Sequence, residues 1–117
     1  MATWPPEQHL AAVRTAFFAP GADPAVWRGG WHADVQRLQI AAGAATPGEA
    51  WQGAGEAPML IIQAADDRVA PPANAEVLKA AHPDRVSVVV LPHAGHAMLP
   101  EQPAAIAAAI VGYLKRP

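Results

Sequence analysis

The sequence contains no cysteine. That removes a disulfide framework, a thiolate metal site and a cysteine nucleophile at once, and it fits a reducing compartment. Charge is also scarce: 15% of residues are Asp, Glu, Lys or Arg, and the formal net charge is −2. No Lys/Arg cluster stands out, so neither nucleic acid nor an anionic membrane is expected as a partner. A membrane-spanning helix needs about 18 consecutive apolar residues, and the apolar runs here are short, cut by Pro, Gly or charge. The first residues, Met1-Ala-Thr-Trp-Pro-Pro-Glu-Gln-His9, lack the basic stretch and apolar run of a signal peptide. The expectation is a soluble, cytoplasmic protein.

What is present is hydrophobic, Pro-rich and unevenly distributed. All four Trp and both Phe lie in residues 1–57, where no strand pattern is visible. Glu7–Phe18 carries Leu10, Val13, Ala16 and Phe17 at helical spacing, with Pro5 and Pro6 in front, where proline is tolerated. Asp23-Pro24 can start a short helix, Trp27–His32 reads as a loop, and Ala33–Ala45 as a second helix. Thr46–Glu56 reads as a linker.

Residues 58–117 have a clearer rhythm. Pro58–Gln63 is a short apolar run that suits a strand buried on both faces. Pro71 and Pro72 open a helix reaching Ala81, with Val77 and Leu78 expected inward. Val86–Leu91 is a β-branched run and a second strand. Pro103–Leu114 is a last helix, with Ile106, Ile110 and Leu114 on one stripe and Lys115-Arg116 at its negative end. The order strand, helix, strand, helix implies an α/β fold with two parallel strands and a right-handed crossover. Such strands need covering helices and further neighbours. The sheet is therefore expected to be incomplete, its remaining strands supplied by a longer parent protein or a partner chain.

Chemistry in open α/β sheets gathers beyond the C-terminal ends of the strands. Two loops qualify: Ala64–Pro72, with Asp66 and Asp67, and Pro92–Pro100, with His93 and His96. Adjacent parallel strands lie about 4.8 Å apart, so an acid from the first loop can meet a histidine from the second. A carboxylate that orients an imidazole is two thirds of a nucleophilic triad.

These residues resemble a known family. Ile61-Ile-Gln-Ala-Ala-Asp-Asp-Arg-Val-Ala-Pro71 is similar to the acid loop of α/β-hydrolases. Leu91-Pro-His-Ala-Gly-His-Ala-Met-Leu-Pro-Glu-Gln-Pro103 is similar to their histidine loop, where Gly-His is followed by an apolar stretch and Glu-x-Pro opens the last helix. The resemblance spans 58–117 and is weaker over 1–57, which would fall where such enzymes carry a helical cap. It implies Asp67 as the acid, with Asp66 one residue early and read as a turn former, and His96 as the base. The chain order acid then histidine agrees with it. The nucleophile elbow, Gly-x-Ser-x-Gly or its Asp or Cys variants, is absent. The single serine, Ser87, has no flanking glycines and sits inside a predicted strand.

The resemblance thus implies the C-terminal part of an α/β-hydrolase cleaving a small ester, amide or related substrate, with no cofactor, since a triad needs none. The nucleophile would come from a missing N-terminal half or a partner chain. The competing expectation is a non-catalytic truncated fragment or small interaction module. Structural roles compete at single positions too. Asp67 can cap the helix that follows. Trp27, Trp31 and Trp51 can line a substrate pocket but read better as packing, and Met98 and Leu99 can touch substrate or pack the loop. Zinc or iron held by His93, His96 and Asp67 is disfavoured by i, i+3 spacing in a loop rather than on a helix. His93, and likewise His9, His32 and His82, read as surface residues. Gly29-Gly30 lacks the strand–turn–helix setting of a phosphate loop.

Overall fold

The computed structural model describes residues 4–48, 51 and 55–115. Of the predicted linker, residues 49–50 and 52–54 lie outside the described residues, as does Arg116. In chain order the elements are α1 (Pro6–Phe17), a 3-10 turn (Pro24–Trp27), α2 (Ala33–Ala45), β1 (Met59–Ala64), α3 (Ala73–Ala81), β2 (Val86–Leu91), α4 (Met98–Glu101) and α5 (Pro103–Leu114).

β1 and β2 pair in parallel from Met59↔Val86 to Ala64↔Leu91, and they form a two-stranded sheet. Bonds from Met59 N–H to Arg85 O (2.8 Å) and Ala65 N–H to Leu91 O (2.9 Å) frame the ladder. They put the odd-numbered residues of both strands on the shared edge, so Leu60 and Ile62 of β1, and Val88 and Val90 of β2, turn their peptide groups outward. Two outward carbonyls are taken: Lys79 Nζ donates to Val86 O, and Gln63 Nε2 to Ala64 O. Side chains alternate between faces. Ile62, Ala64, Val89 and Leu91 share the face on which Ile106 and Ala105 of α5 pack, with Ala94 and Met98 closing the cluster.

A second apolar cluster joins α1 to the loop after β2: Val13, Phe18 and Ala97 are buried together, with Phe17, Ala22, Trp27 and Trp31 against them. The rings interlock, Phe18 edge-on to Trp27 at 5.3 Å and His9 edge-on to Trp31 at 5.0 Å. His9 is therefore buried rather than on the surface. Its position one turn before Val13 on α1 puts it on the packed stripe. Trp27 and Trp31 pack as expected, whereas Trp51 is exposed. Asp23 opens the 3-10 turn by accepting Ala25 N–H.

Cover is thin elsewhere. Val77 is 71% exposed, against the expectation that it faces inward, and Leu78 is half-buried. On the α5 stripe only Ile106 is buried; Ile110 and Leu114 are exposed. Every residue of α2 is exposed, including Val35, Leu38 and Ile40. The strands are only partly covered, because a two-stranded sheet has no neighbour beyond either edge. A compact monomer of 12.2 kDa exposes about 6,100 Å², whereas this chain exposes 7903 Å². Among the described residues no helix is long and apolar enough to cross a membrane.

Candidate active site

The two strands deliver their loops side by side. Beyond the last rung, Asp66 N–H donates to Ala94 O at 2.9 Å and stitches the acid loop to the histidine loop. Gln63, buried at the end of β1, donates from Nε2 to Ala70 O and braces the acid loop from beneath.

Asp67 is buried, and both of its oxygens are engaged. Oδ1 accepts the N–H groups of Val69 and Ala70, each at 2.8 Å. Oδ2 lies 3.0 Å from Nδ1 of His96. The same side chain therefore does two things: one oxygen folds its own loop, the other meets the imidazole. Burial pushes the Asp67 carboxyl up, but the Ala70 N–H, the His96 ring, the Val69 N–H and the histidine's charge together outweigh it. The carboxyl titrates below its ordinary value. Asp66 is exposed, and its backbone makes the stitch just described.

A carboxylate accepts and cannot donate, so the imidazole carries its proton on Nδ1 and leaves Nε2 as the basic nitrogen. The His96 side chain is 38% exposed. Its Nε2 has no hydrogen-bond partner among the described residues. The Phe17 ring packs on the imidazole at 5.6 Å and 45°. Asp67 thus orients the imidazole while the far ring nitrogen stays open.

The backbone around His96 is pinned by the N-terminal segment. Gly95 N–H donates to Glu101 Oε2 at 2.6 Å, Ala19 N–H donates to Glu101 Oε1 at 2.7 Å, and Ala97 N–H donates to Phe17 O at 2.7 Å. A Cβ on Gly95 would stand 2.6 Å from Ala19 N and from Phe17 O, so only glycine permits this approach. Arg68 donates to Thr15 O, placing a cation at the negative end of α1. Sequence reasoning missed Glu101, Gln63 and Phe17 as site-shaping groups. The Glu-x-Pro signal at 101–103 was visible but read only as a helix opening.

The other residues singled out lie apart. His93 is exposed, adopts the left-handed backbone region (φ 56°) and lines a cleft of about 440 Å³ with Asp23, Val26 and Pro100, which His96 does not line. Among the described residues no three His, Asp or Glu side chains converge as metal ligands would. Ser87 is the second residue of β2, four strand positions, about 13 Å, before the end of the strand that leads to His96.

The model of the Alpha/beta hydrolase family matches residues 1–109. The chain belongs to this family, and its helices around a small parallel sheet are a partial α/β-hydrolase fold. The match takes in all of the aromatic N-terminal segment as well as both loops. No curated protein and no solved structure matches the chain.

Proposed function

We propose that Asp67 and His96 are the acid and the general base of a Ser-His-Asp hydrolase, and that the nucleophile resides on polypeptide outside these 117 residues. The observation that carries this reading is the 3.0 Å contact from Asp67 Oδ2 to His96 Nδ1, made beyond the C-terminal ends of two adjacent parallel strands with Nε2 left open. A serine hydroxyl brought to Nε2 gives up its proton as its oxygen bonds to the carbonyl carbon of an ester or amide. The imidazolium, stabilised by Asp67, returns that proton to the leaving group as the carbon–heteroatom bond breaks. Water repeats the cycle to release the acid. Base catalysis of this kind contributes about 10² to 10⁴ in rate.

The exposed surface supports a partner layer. The excess over a compact monomer, about 1,800 Å², exceeds the ~800 Å² one partner contributes to a standard interface. Both sheet edges keep outward peptide groups without a neighbouring strand among the described residues, although Lys79 takes Val86 O on β2 and Gln63 takes Ala64 O on β1. The same bare surface also favours a second reading, a non-catalytic interaction module. The two are separated by the coding sequence next to this chain: a neighbouring or in-frame Gly-x-Ser-x-Gly segment supports the hydrolase, and its absence supports the module.

The test is hydrolysis of an activated aryl ester. The chain alone is expected to be no more active than its His96→Ala variant. Joined to its nucleophile-bearing portion it turns over, and His96→Ala removes nearly all of that activity. Turnover that survives His96→Ala in the joined enzyme refutes the assignment.

A further inference from the structure

We propose that Glu101 is a positioning residue for His96, acting by clamping the backbone before the histidine onto the segment Phe17–Ala19. The inference rests on the reading of His96 as the base, and it names the group that fixes where that base stands.

The two carboxylate oxygens of Glu101 divide their work. Oε2 takes the N–H of Gly95, immediately before His96, and Oε1 takes the N–H of Ala19, 82 residues away in sequence. Both are short bonds to an ionised acceptor, the stronger kind. On the other side of His96, Ala97 N–H donates to Phe17 O. The residues on either side of the histidine are thus both tied to one three-residue stretch, Gly95 through Glu101 and Ala97 directly, and the Phe17 ring lies against the imidazole. Glu101 is not engaged in capping α5, since both of its oxygens bond outside that helix. The acid loop meets this stretch through the Asp66 N–H, which donates to Ala94 O, and through Arg68, which donates to Thr15 O, while the Asp67 carboxylate itself is held by Val69 and Ala70 of its own loop. Loss of Glu101 therefore frees the Cα–Cβ direction of His96 while leaving the acid in place, and the 3.0 Å contact is what suffers.

The experiment uses the full chain, isotope-labelled, as wild type, Glu101→Ala and Glu101→Gln. Two signals are read: amide exchange at Ala19, Gly95 and Ala97, and the His96 Nδ1–H resonance, a proton shielded from water only while it is bonded to Asp67. In Glu101→Ala, protection at Ala19 and Gly95 is expected to fall by about tenfold or more, and the Nδ1–H signal to broaden or vanish. Val69 and Ala70, bonded to Asp67, keep their protection. Glu101→Gln retains one accepting oxygen and is expected to restore part of both signals. An unchanged Nδ1–H resonance in Glu101→Ala overturns the proposal, even if Gly95 loses protection. Should the alanine variant unfold, Glu101→Gln decides on the same signals: an Nδ1–H exchanging at the wild-type rate overturns the proposal, and one exchanging faster supports it. None of this needs turnover, so a fixed His96 in Glu101→Ala leaves the hydrolase reading standing. An active His96→Ala joined enzyme removes that reading and leaves the clamp.

Discussion

Replacing Gly95 by alanine tests the docking of the N-terminal segment most directly. The added Cβ would lie 2.6 Å from Ala19 N and Phe17 O and 2.7 Å from the carbonyl carbon of Phe18. All three are backbone atoms, so no side chain can swing aside. Ordinary contact requires the two backbones to part by about 0.8 Å. That stretches the Ala97–Phe17 and Ala19–Glu101 bonds from 2.7 Å to about 3.5 Å, where a hydrogen bond is nearly lost. One neutral bond and one to a carboxylate are worth about 1 and 2 kcal/mol. At about 4 °C per kcal/mol for a chain of this length, thermal unfolding should drop by roughly 12 °C. Gly112→Ala is the control, because nothing lies within 4 Å of its Cβ position in α5. There alanine should raise the midpoint by about 2 to 4 °C through helix propensity alone. A Gly95→Ala chain that melts within about 2 °C of wild type, the range of neutral surface changes, refutes the close approach.

Three further outcomes are expected. Ile106→Ala, in the cluster with Ala64, Leu91 and Ala94, should cost about 2 to 5 kcal/mol in denaturant unfolding, whereas Ile110→Ala on the exposed continuation of the same stripe should stay within about 0.5. Asp67 titrates below its ordinary value when folded and near about 3.9 when unfolded. Its contribution is therefore whole above that unfolded value and is lost as pH falls through the lower folded one. The stability gap between wild type and Asp67→Asn should be flat above about pH 5 and shrink below about pH 4, and a gap that stays constant down to pH 2 contradicts the lowered carboxyl. Lys79 donates to Pro83 O and Val86 O at the outer edge of β2. Lys79→Ala should uncover that edge and increase self-association in sedimentation velocity.

The α/β half was legible because its signals are local and independent. β2 falls on the predicted Val86–Leu91, β1 is displaced by one residue to Met59–Ala64, and α2 keeps its predicted bounds. Strand-end topology was enough to expect an acid of the first loop beside a histidine of the second; Asp67 rather than Asp66, and His96 rather than His93, came from the family resemblance, and those two are the pair in contact. Depth of burial was not legible. Helical spacing marks which residues share a stripe, but Val77, Ile110 and Leu114 remain exposed because nothing covers their ends of the stripe. His9 went the other way: it is a polar residue on the α1 stripe, and Trp31 folds back on it, a contact across a loop that no periodicity encodes. Glu101 was hidden for the same reason. Its bond to Ala19 spans 82 positions, and neither residue signals the other.

Asp67 and His96 are fixed by different means, and this decides which of them depends more on the N-terminal segment. Asp67 is held by N–H groups two and three residues ahead in its own loop. His96 is held by Phe17, Ala19 and Glu101, and two of these lie on the far side of the chain. A change in the aromatic cluster should therefore uncouple the pair without touching either residue. Phe18 is buried with Val13 and Ala97, and Phe18→Ala removes the largest of these side chains at a cost of about 3 to 5 kcal/mol of local packing. Amide exchange should then accelerate at Ala97 and Gly95 while Val69 and Ala70 keep their wild-type rates. Equal acceleration at all four would mean that the two loops open together, and that the histidine is fixed by the sheet rather than by the segment docked against it.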